Sequence, residues 1–196
     1  MDADWSVELG REDAVLEVPW IAPDGRHRYI DLRAYPHLLE ELEEAQRFPE
    51  LAELLRQVNG ARGALESVKC DAWESTGIEE AEEIFGGSHK VGSYCDVIFR
   101  EEAARFSFEQ HERFVRRMCR LLRQAPEIPA SMEFIVRGAI FHRNEKRTGF
   151  CTSAYVFGYG NDGQAARTQW EIALQLTGNA MMQAGRELVE GRGRAP

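Results

Sequence analysis

The sequence predicts an α+β fold, with a mainly antiparallel β-sheet and helices packed on one face of it. Two alternating apolar segments, at about 131–142 and 149–159, flank a short polar loop around Asn144–Thr148, which is typical of an antiparallel hairpin. Helical periodicity is clear elsewhere, but the helices do not alternate regularly with strands as they do in parallel α/β folds. With 196 residues, 43% of them hydrophobic, the chain can form one domain, predicted as 1–190 with a frayed tail at 191–196.

The first third of the chain combines short strands with two helices. Three alternating segments predict strands: Ser6–Gly10, Ala14–Trp20 and Arg28–Leu32. Pro36 and Pro49 each suit the first position of a helix, where the N–H that proline lacks is not needed. Asn59-Gly60 is a stop signal, so the second helix is predicted to end there.

The remaining elements follow from periodicity and capping signals. They are strands at about 65–75 and 91–100, a short acidic helix at 78–85, a helix at 107–124, the hairpin, and a last helix at about 163–189. Ser107 and Gln110 have the spacing of a capping box at the start of the 107–124 helix, and Pro126 follows its end.

Composition limits the classes of partner and compartment. The net charge is −9, from 24 basic and 33 acidic residues, which disfavours broad binding to nucleic acid or anionic lipid. The start, MDADWSVELG, has no signal-peptide pattern, and no apolar run is long enough to span a membrane. The cysteines are widely spaced and predict reduced, mostly buried thiols in a cytoplasmic protein: Cys70, Cys95, Cys119 and Cys151.

One glycine motif resembles a nucleotide loop in spacing alone. Gly158, Gly160 and Gly163 form G-x-G-x-x-G between a predicted strand and a predicted helix. A dinucleotide site needs a further strand after that helix, and none is predicted. Asp162 also competes for the helix amides, so we expect a plain strand–turn–helix connection and no cofactor. The five histidines show no metal-binding spacing, and no metal site is predicted.

Alternation along the predicted strands defines a polar and aromatic side of the sheet, called here the second face. Its predicted members are Lys69, Asp71 and Trp73; Tyr94, Asp96, Ile98 and Arg100; and Glu133, Ile135, Arg137 and Phe141. The hairpin register is open, so the last strand adds one of two sets: Tyr155, Phe157 and Tyr159, or Thr152, Ala154 and Val156.

Three interpretations of the second face compete: a solvated face with ion pairs, a protein interface, and a small-molecule pocket. The leading hypothesis is a binding protein that self-associates as a homo-oligomer or captures a protein partner. Its candidate contact residues are Lys69, Trp73, Tyr94, Arg100, Arg137 and Phe141. The alternative is a small enzyme for an anionic metabolite, with Asp71, Asp96 or Glu133 as acid or base and Lys69, Arg100 and Arg137 as anion ligands.

A stripe of arginines lies on one side of the 107–124 helix. It comprises Arg113, Arg116, Arg117, Arg120 and Arg123, within an arc of about 120°. The stripe is a candidate anion-binding surface, because guanidinium groups suit phosphates and carboxylates. The favoured interpretation is intramolecular pairing, with the glutamates of 40–44 and 79–83 as candidate partners, or a solvated face.

Overall fold

A computed structural model describes residues 1–61, 63–142 and 145–192. Within these residues, one sheet contains six strands: β1 (Asp2–Glu8), β2 (Leu16–Val18), β3 (Leu65–Ser75), β4 (His89–Phe99), β5 (Ala130–Phe141) and β6 (Arg147–Gly160). The same residues form five α-helices: α1 (Glu43–Arg47), α2 (Pro49–Val58), α3 (Glu102–Arg105), α4 (Phe108–Leu122) and α5 (Gly163–Arg192). Two 3₁₀ helices are added, at Pro36–Glu41 and Glu80–Phe85.

The sheet is mixed, with the strand order β1-β5-β6-β4-β3 and with β2 also paired to β5. The β5–β6, β6–β4 and β4–β3 pairs are antiparallel, whereas β1 and β2 both run parallel to β5. The α+β prediction is therefore confirmed, but the mainly antiparallel sheet is corrected to a mixed one. Alternation is the same in parallel and antiparallel strands, so it could not indicate the direction in which the first strands join the sheet.

Several predicted elements move or change type. The first strand is Asp2–Glu8 rather than Ser6–Gly10, and the segment Arg28–Leu32 contributes only an isolated bridge between Ile21 and Arg28. The acidic helix at 78–85 is the 3₁₀ helix Glu80–Phe85.

The predicted helix starts at Pro36, Pro49 and Ser107 are confirmed, with Pro36 beginning a 3₁₀ helix. Pro36 and Pro49 each lie at the start of a helix, and Ser107 Oγ accepts a hydrogen bond from the backbone N–H of Gln110 at 3.4 Å. These features depend on neighbouring residues only.

The main core lies between one face of the sheet and the layer formed by α2, α4 and α5. Trp170 of α5 is fully buried, its ring packs edge-to-face on Phe48 at 5.6 Å, and its Nε1–H donates to Ser93 Oγ of β4 at 3.0 Å. Phe114 of α4 and Phe134 of β5 complete the largest buried side chains on this side. The helix layer leaves the second face of the sheet on the opposite side.

The glycine motif serves the junction between β6 and α5. A Cβ on Gly158 would lie 2.1 Å from the backbone nitrogen of Trp170, and one on Gly160 would lie 2.4 Å from that of Ala166. Only glycine therefore permits the first turns of α5 to pack directly on β6. Asp162 Oδ1 accepts the backbone N–H of Ala165 at 2.8 Å, as expected for a capping residue.

The predicted tail at 191–196 falls mostly outside the described residues, although Gly191 and Arg192 belong to α5. Asn144 of the predicted hairpin loop also lies outside them. Among the described helices, none combines the length and apolar character needed to cross a membrane.

Candidate functional site

The strand register brings the predicted second face together. The register is the one in which Tyr155, Phe157 and Tyr159 lie on this face. Three cross-strand rows result: Lys69, Asp96, Ser153, Ile135 and Ser6; Asp71, Tyr94, Tyr155, Glu133 and Asp4; and Trp73, Gly92, Phe157, Ser131 and Asp2. Residues that the chain separates by up to 129 positions, such as Asp4 and Glu133, thus become neighbours through backbone pairing.

One end of the second face is covered by the chain itself. The segment around β2 places Trp20 and Tyr29 against a small buried cluster: Val18, Val68, Ile98, Ala139, Phe141 and Cys151. Trp20 Nε1–H donates to the backbone oxygen of Val68 at 2.7 Å, which fixes the covering segment. Phe141, a predicted contact residue, is only 4% exposed and is part of this cluster.

A hydrogen-bonded ionic network occupies the middle of the second face. The Arg137 guanidinium donates to Glu8 Oε2 at 2.7 Å, to Ser153 Oγ at 3.1 Å and to the Tyr155 hydroxyl at 3.2 Å. Ser153 Oγ in turn donates to the carboxylate of Asp96, which is 7% exposed. Burial raises the pKa of Asp96, although Ser153 and the charges of Lys69 and Arg137 oppose that rise. The network is satisfied within the chain, so these charges are held in place.

Beyond this network lies the aromatic patch, defined as Trp73, Tyr94, Tyr155 and Phe157. All four side chains are half-buried. The ring centroids of Tyr94 and Tyr155 lie 5.7 Å apart, and Trp73 packs edge-to-face on Phe157 with ring centroids 6.0 Å apart. Gly92 lies between this second pair, where a Cβ would come within 2.8 Å of the Phe157 ring and 3.0 Å of the Trp73 ring. The rings are thus pre-arranged on rigid strands.

Two clefts border the second face. The larger, about 940 Å³, lies between the segment 15–32 and β3, and its lining includes Trp20, Glu44, Lys69, Cys70, Asp71 and Tyr94. The Lys69 ammonium lies over the rings of Trp20 and Tyr94, at 5.2 and 5.4 Å from their centroids. The smaller cleft, about 290 Å³, lies at the β1 side and is lined by Asp2, Ser6, Phe85, Glu133, Phe157 and Tyr159.

The residues suggested for catalysis do not share one cleft. Asp71 borders the large cleft, Asp96 is buried beneath Ser153, and Glu133 borders the small cleft. Arg100 lies beyond the end of β4, and its guanidinium donates to the backbone oxygens of Ala61 and Gly63 at 2.9 and 2.5 Å. Sequence alternation placed Arg100 on the second face because it could not locate the end of the strand.

Four of the five arginines of the stripe have acidic partners in the described part of the chain. The pairs are Arg113 with Glu109 at 2.7 Å, Arg116 with Glu112 at 2.9 Å, Arg117 with Glu187 at 2.7 Å, and Arg123 with Asp4 at 3.8 Å. Arg120 is exposed. The partners lie on α4 itself, on α5 and on β1, whereas the sequence suggested the glutamates of 40–44 and 79–83.

Metal-binding geometry is not found among the described residues, where no group of three or more histidine, cysteine, aspartate or glutamate side chains could hold an ion. His111 is buried in the helix layer, where its Nδ1 lies 3.0 Å from the backbone oxygen of Ser107. The four cysteines carry free thiols.

Sequence reasoning missed three participants of the second face: Glu8, Trp20 and Ser153. Ser153 alternates with Tyr155 and would have been found once the hairpin register was known. Glu8 and Trp20 join the face through contacts with residues far away in the chain, for which the sequence has no local signal.

No protein-family model, curated protein or solved structure matches the chain.

Proposed function

We propose that this protein acts by binding another protein through the aromatic patch of the second face. The observation that carries the proposal is the arrangement of Trp73, Tyr94, Tyr155 and Phe157 as four half-buried rings on adjacent strands. Aromatic residues are enriched at protein interfaces, because they offer a large contact area at a low cost in conformational entropy.

The charges around the patch support the same function. Arg137 is paired with Glu8 at 2.7 Å, and Lys90 is paired with Glu82 at 2.7 Å. A partner that covers the patch need not bury an unpaired charge from these groups, which would otherwise cost binding free energy. Paired charges at the rim also restrict the orientation of the partner.

A second copy of the chain is one such partner. In a two-fold contact through the second face, Asp71 or Asp96 would meet Arg100 or Arg137 of the other copy. That charge pairing has little support, because Arg100 and Arg137 donate within their own chain. Contact between two aromatic patches remains compatible with two-fold symmetry.

The enzyme alternative has weaker support. Asp71, Asp96 and Glu133 border different spaces, and a general acid or base must lie within hydrogen-bonding distance of one reacting group. A cytoplasmic setting remains part of the proposal, on the basis of the four free thiols.

The test combines native mass with a matched pair of variants. If the partner is a second copy, light scattering should give about twice 22.3 kDa for the unmodified chain, and Phe157→Ser should shift the mass toward that of the monomer. Tyr35→Ser, which changes an aromatic residue that is 55% exposed and outside the patch, should leave the mass unchanged.

If the unmodified chain is monomeric, a photo-crosslinking residue at position 157 should join it to a different protein in the producing cells. The same residue at position 35 should not give this product. A monomer without a position-specific crosslink would refute the proposed function.

A further inference from the structure

The outer edge of β3 is a free sheet edge. Within the described residues, β4 is the one strand paired with β3, so one side of β3 has no strand beside it. Trp20 Nε1–H reaches the Val68 carbonyl, and the Asp71 carboxylate accepts the Ala72 N–H at 2.7 Å. Because side chains make these bonds, the Val68 carbonyl and the Ala72 N–H point away from β4. Alternation then directs the backbone groups of Glu74 outward as well.

The covering segment occupies only the first part of this edge. Trp20 and Tyr29 pack near Val68 and Glu66, at the beginning of β3. The large cleft continues from there and includes Lys69, Cys70 and Asp71 in its lining. Asp71 and Glu74 are exposed, so the later part of the edge, from Lys69 to Ser75, is the part with room for a short added strand.

The two sides of this edge differ chemically. On the helix side, Glu41, Glu43 and Glu44 line the cleft, and Glu44 lies close enough to Cys70 to contribute to the raised pKa of that thiol, after the larger effect of burial. On the second-face side, Trp73 and Tyr94 offer aromatic surface. Arg26 and Arg28 belong to the other wall of the cleft, formed by the segment 15–32.

We propose that the β3 edge from Lys69 to Ser75 accepts an extended basic segment of a partner protein as an added strand. Cationic side chains of that segment would face Glu43 and Glu44, and alternate apolar side chains would face Trp73. The inference rests on the proposed function and specifies which part of the partner binds.

Charge decides between possible occupants of the edge. Antiparallel pairing of β3 with β3 of a second copy would bring Asp71, Glu74 and the α1 glutamates of both copies to one seam, with only one Lys69 from each copy to offset them. Like charges on adjacent strands are destabilising, so a basic segment fits this edge better than a second copy. The Asp71 carboxylate that holds the Ala72 N–H would be replaced by a carbonyl of the added strand.

The first test measures the binding of fluorescent peptides to the unmodified protein. A short peptide of alternating lysine and valine is compared with two versions of identical charge, one N-methylated at every valine and one at every lysine. In an added strand, the N–H groups of either the valines or the lysines point toward β3, and methylation of that set removes its hydrogen bonds. The peptide methylated on that set should bind at least about tenfold more weakly than the parent, since each lost hydrogen bond is worth about 1 kcal/mol. The other should bind within about threefold of the parent.

Charge is tested by a matched pair of variants. Glu44→Gln should weaken binding of the unmethylated peptide by several-fold, whereas Glu171→Gln, on the exposed surface of α5, should not. Equal binding of both methylated peptides would indicate attraction by net charge alone and would overturn the inference. Failure of the parent peptide to bind would also overturn it.

The outcomes separate this inference from the proposed function. Peptide binding that discriminates between the methylated forms, but is unaffected by Phe157→Ser, would support the edge site even if the crosslinking experiment failed. A position-specific crosslink at 157 without peptide binding would keep the proposed function and remove the edge site.

Discussion

Replacing Gly158 by alanine tests the explanation of the glycine motif as a packing device. The added Cβ would lie 2.1 Å from Trp170 N and 2.6 Å from both Trp170 Cα and Ala166 O. Ordinary contact begins at 3.4 Å, so α5 would have to withdraw from β6 by at least 3.4 − 2.1 = 1.3 Å at this point. These neighbours are backbone atoms, which cannot rotate away as the end of a side chain can.

The expected loss of stability follows from that displacement. A gap of about 0.5–1 Å removes a quarter to a half of the dispersion energy between packed atoms, and α5 carries the buried Trp170 and Leu174 against the sheet. Overpacking usually costs about 1–3 kcal/mol, and we expect Gly158→Ala to reach about 3 kcal/mol because both packed surfaces are rigid. At about 2–4 °C per kcal/mol for a domain of this size, the melting temperature should fall by about 6–12 °C.

Gly163→Ala is the matched control, since the same methyl group is added at another glycine of the motif. Nothing lies within 4 Å of its Cβ position, and alanine favours a helix, so stability should rise by up to about 1 kcal/mol. Urea unfolding followed by circular dichroism gives both free energies of unfolding. Loss of less than about 1 kcal/mol in Gly158→Ala, or similar losses in both variants, would refute the packing explanation.

Three further predictions concern the helix layer. Burial lowers the pKa of His111 from 6.5 to about 4, so the unfolded chain takes up the proton first as the pH falls. Stability present above pH 6.5 should decline by up to roughly 3 kcal/mol toward pH 4, and His111→Leu should remove this decline in urea unfolding across that range. Arg167→Lys should lower the free energy of unfolding by about 1 kcal/mol in the same assay at neutral pH. Lysine cannot keep both of the hydrogen bonds that Arg167 donates to the Glu50 carboxylate, at 2.7 and 2.9 Å. Trp170→Phe should lower the free energy of unfolding by about 2–3 kcal/mol, since it leaves a small cavity and removes the Nε1–H bond to Ser93, a residue that is 1% exposed. Because Trp170 and Ser93 share this bond, the losses from Trp170→Phe and Ser93→Ala should not add in the double mutant, and additive losses would contradict the prediction.

Local patterns were sufficient for much of the fold. The helices α2, α4 and α5 follow from apolar periodicity, and the starts at Pro49 and Ser107 follow from residues within one turn. Alternation also assigned Lys69, Asp71 and Trp73 to the same face, because neighbouring side chains in a strand point to opposite sides. These predictions needed no knowledge of what lies across the sheet.

The character of the second face depended on long-range contacts. The sequence left two hairpin registers open, and pairing with both β4 and β5 selected the one that adds Tyr155 and Phe157 to the face. Arg100 and Phe141 were expected on the accessible surface, but one binds loop carbonyls and the other is covered beside Trp20. Neither outcome has a local cause, since both depend on segments packed from elsewhere in the chain.

The sequence by itself determined the α+β class, the main helices and the polar and aromatic composition of the second face. Tertiary structure alone decided that β1 and β2 join β5 in parallel, that one end of the face is buried, and that, within the described residues, no strand pairs with the outer edge of β3. The physical reason is that periodicity records which side of an element is buried, whereas strand direction, register and coverage depend on contacts between residues distant in the chain.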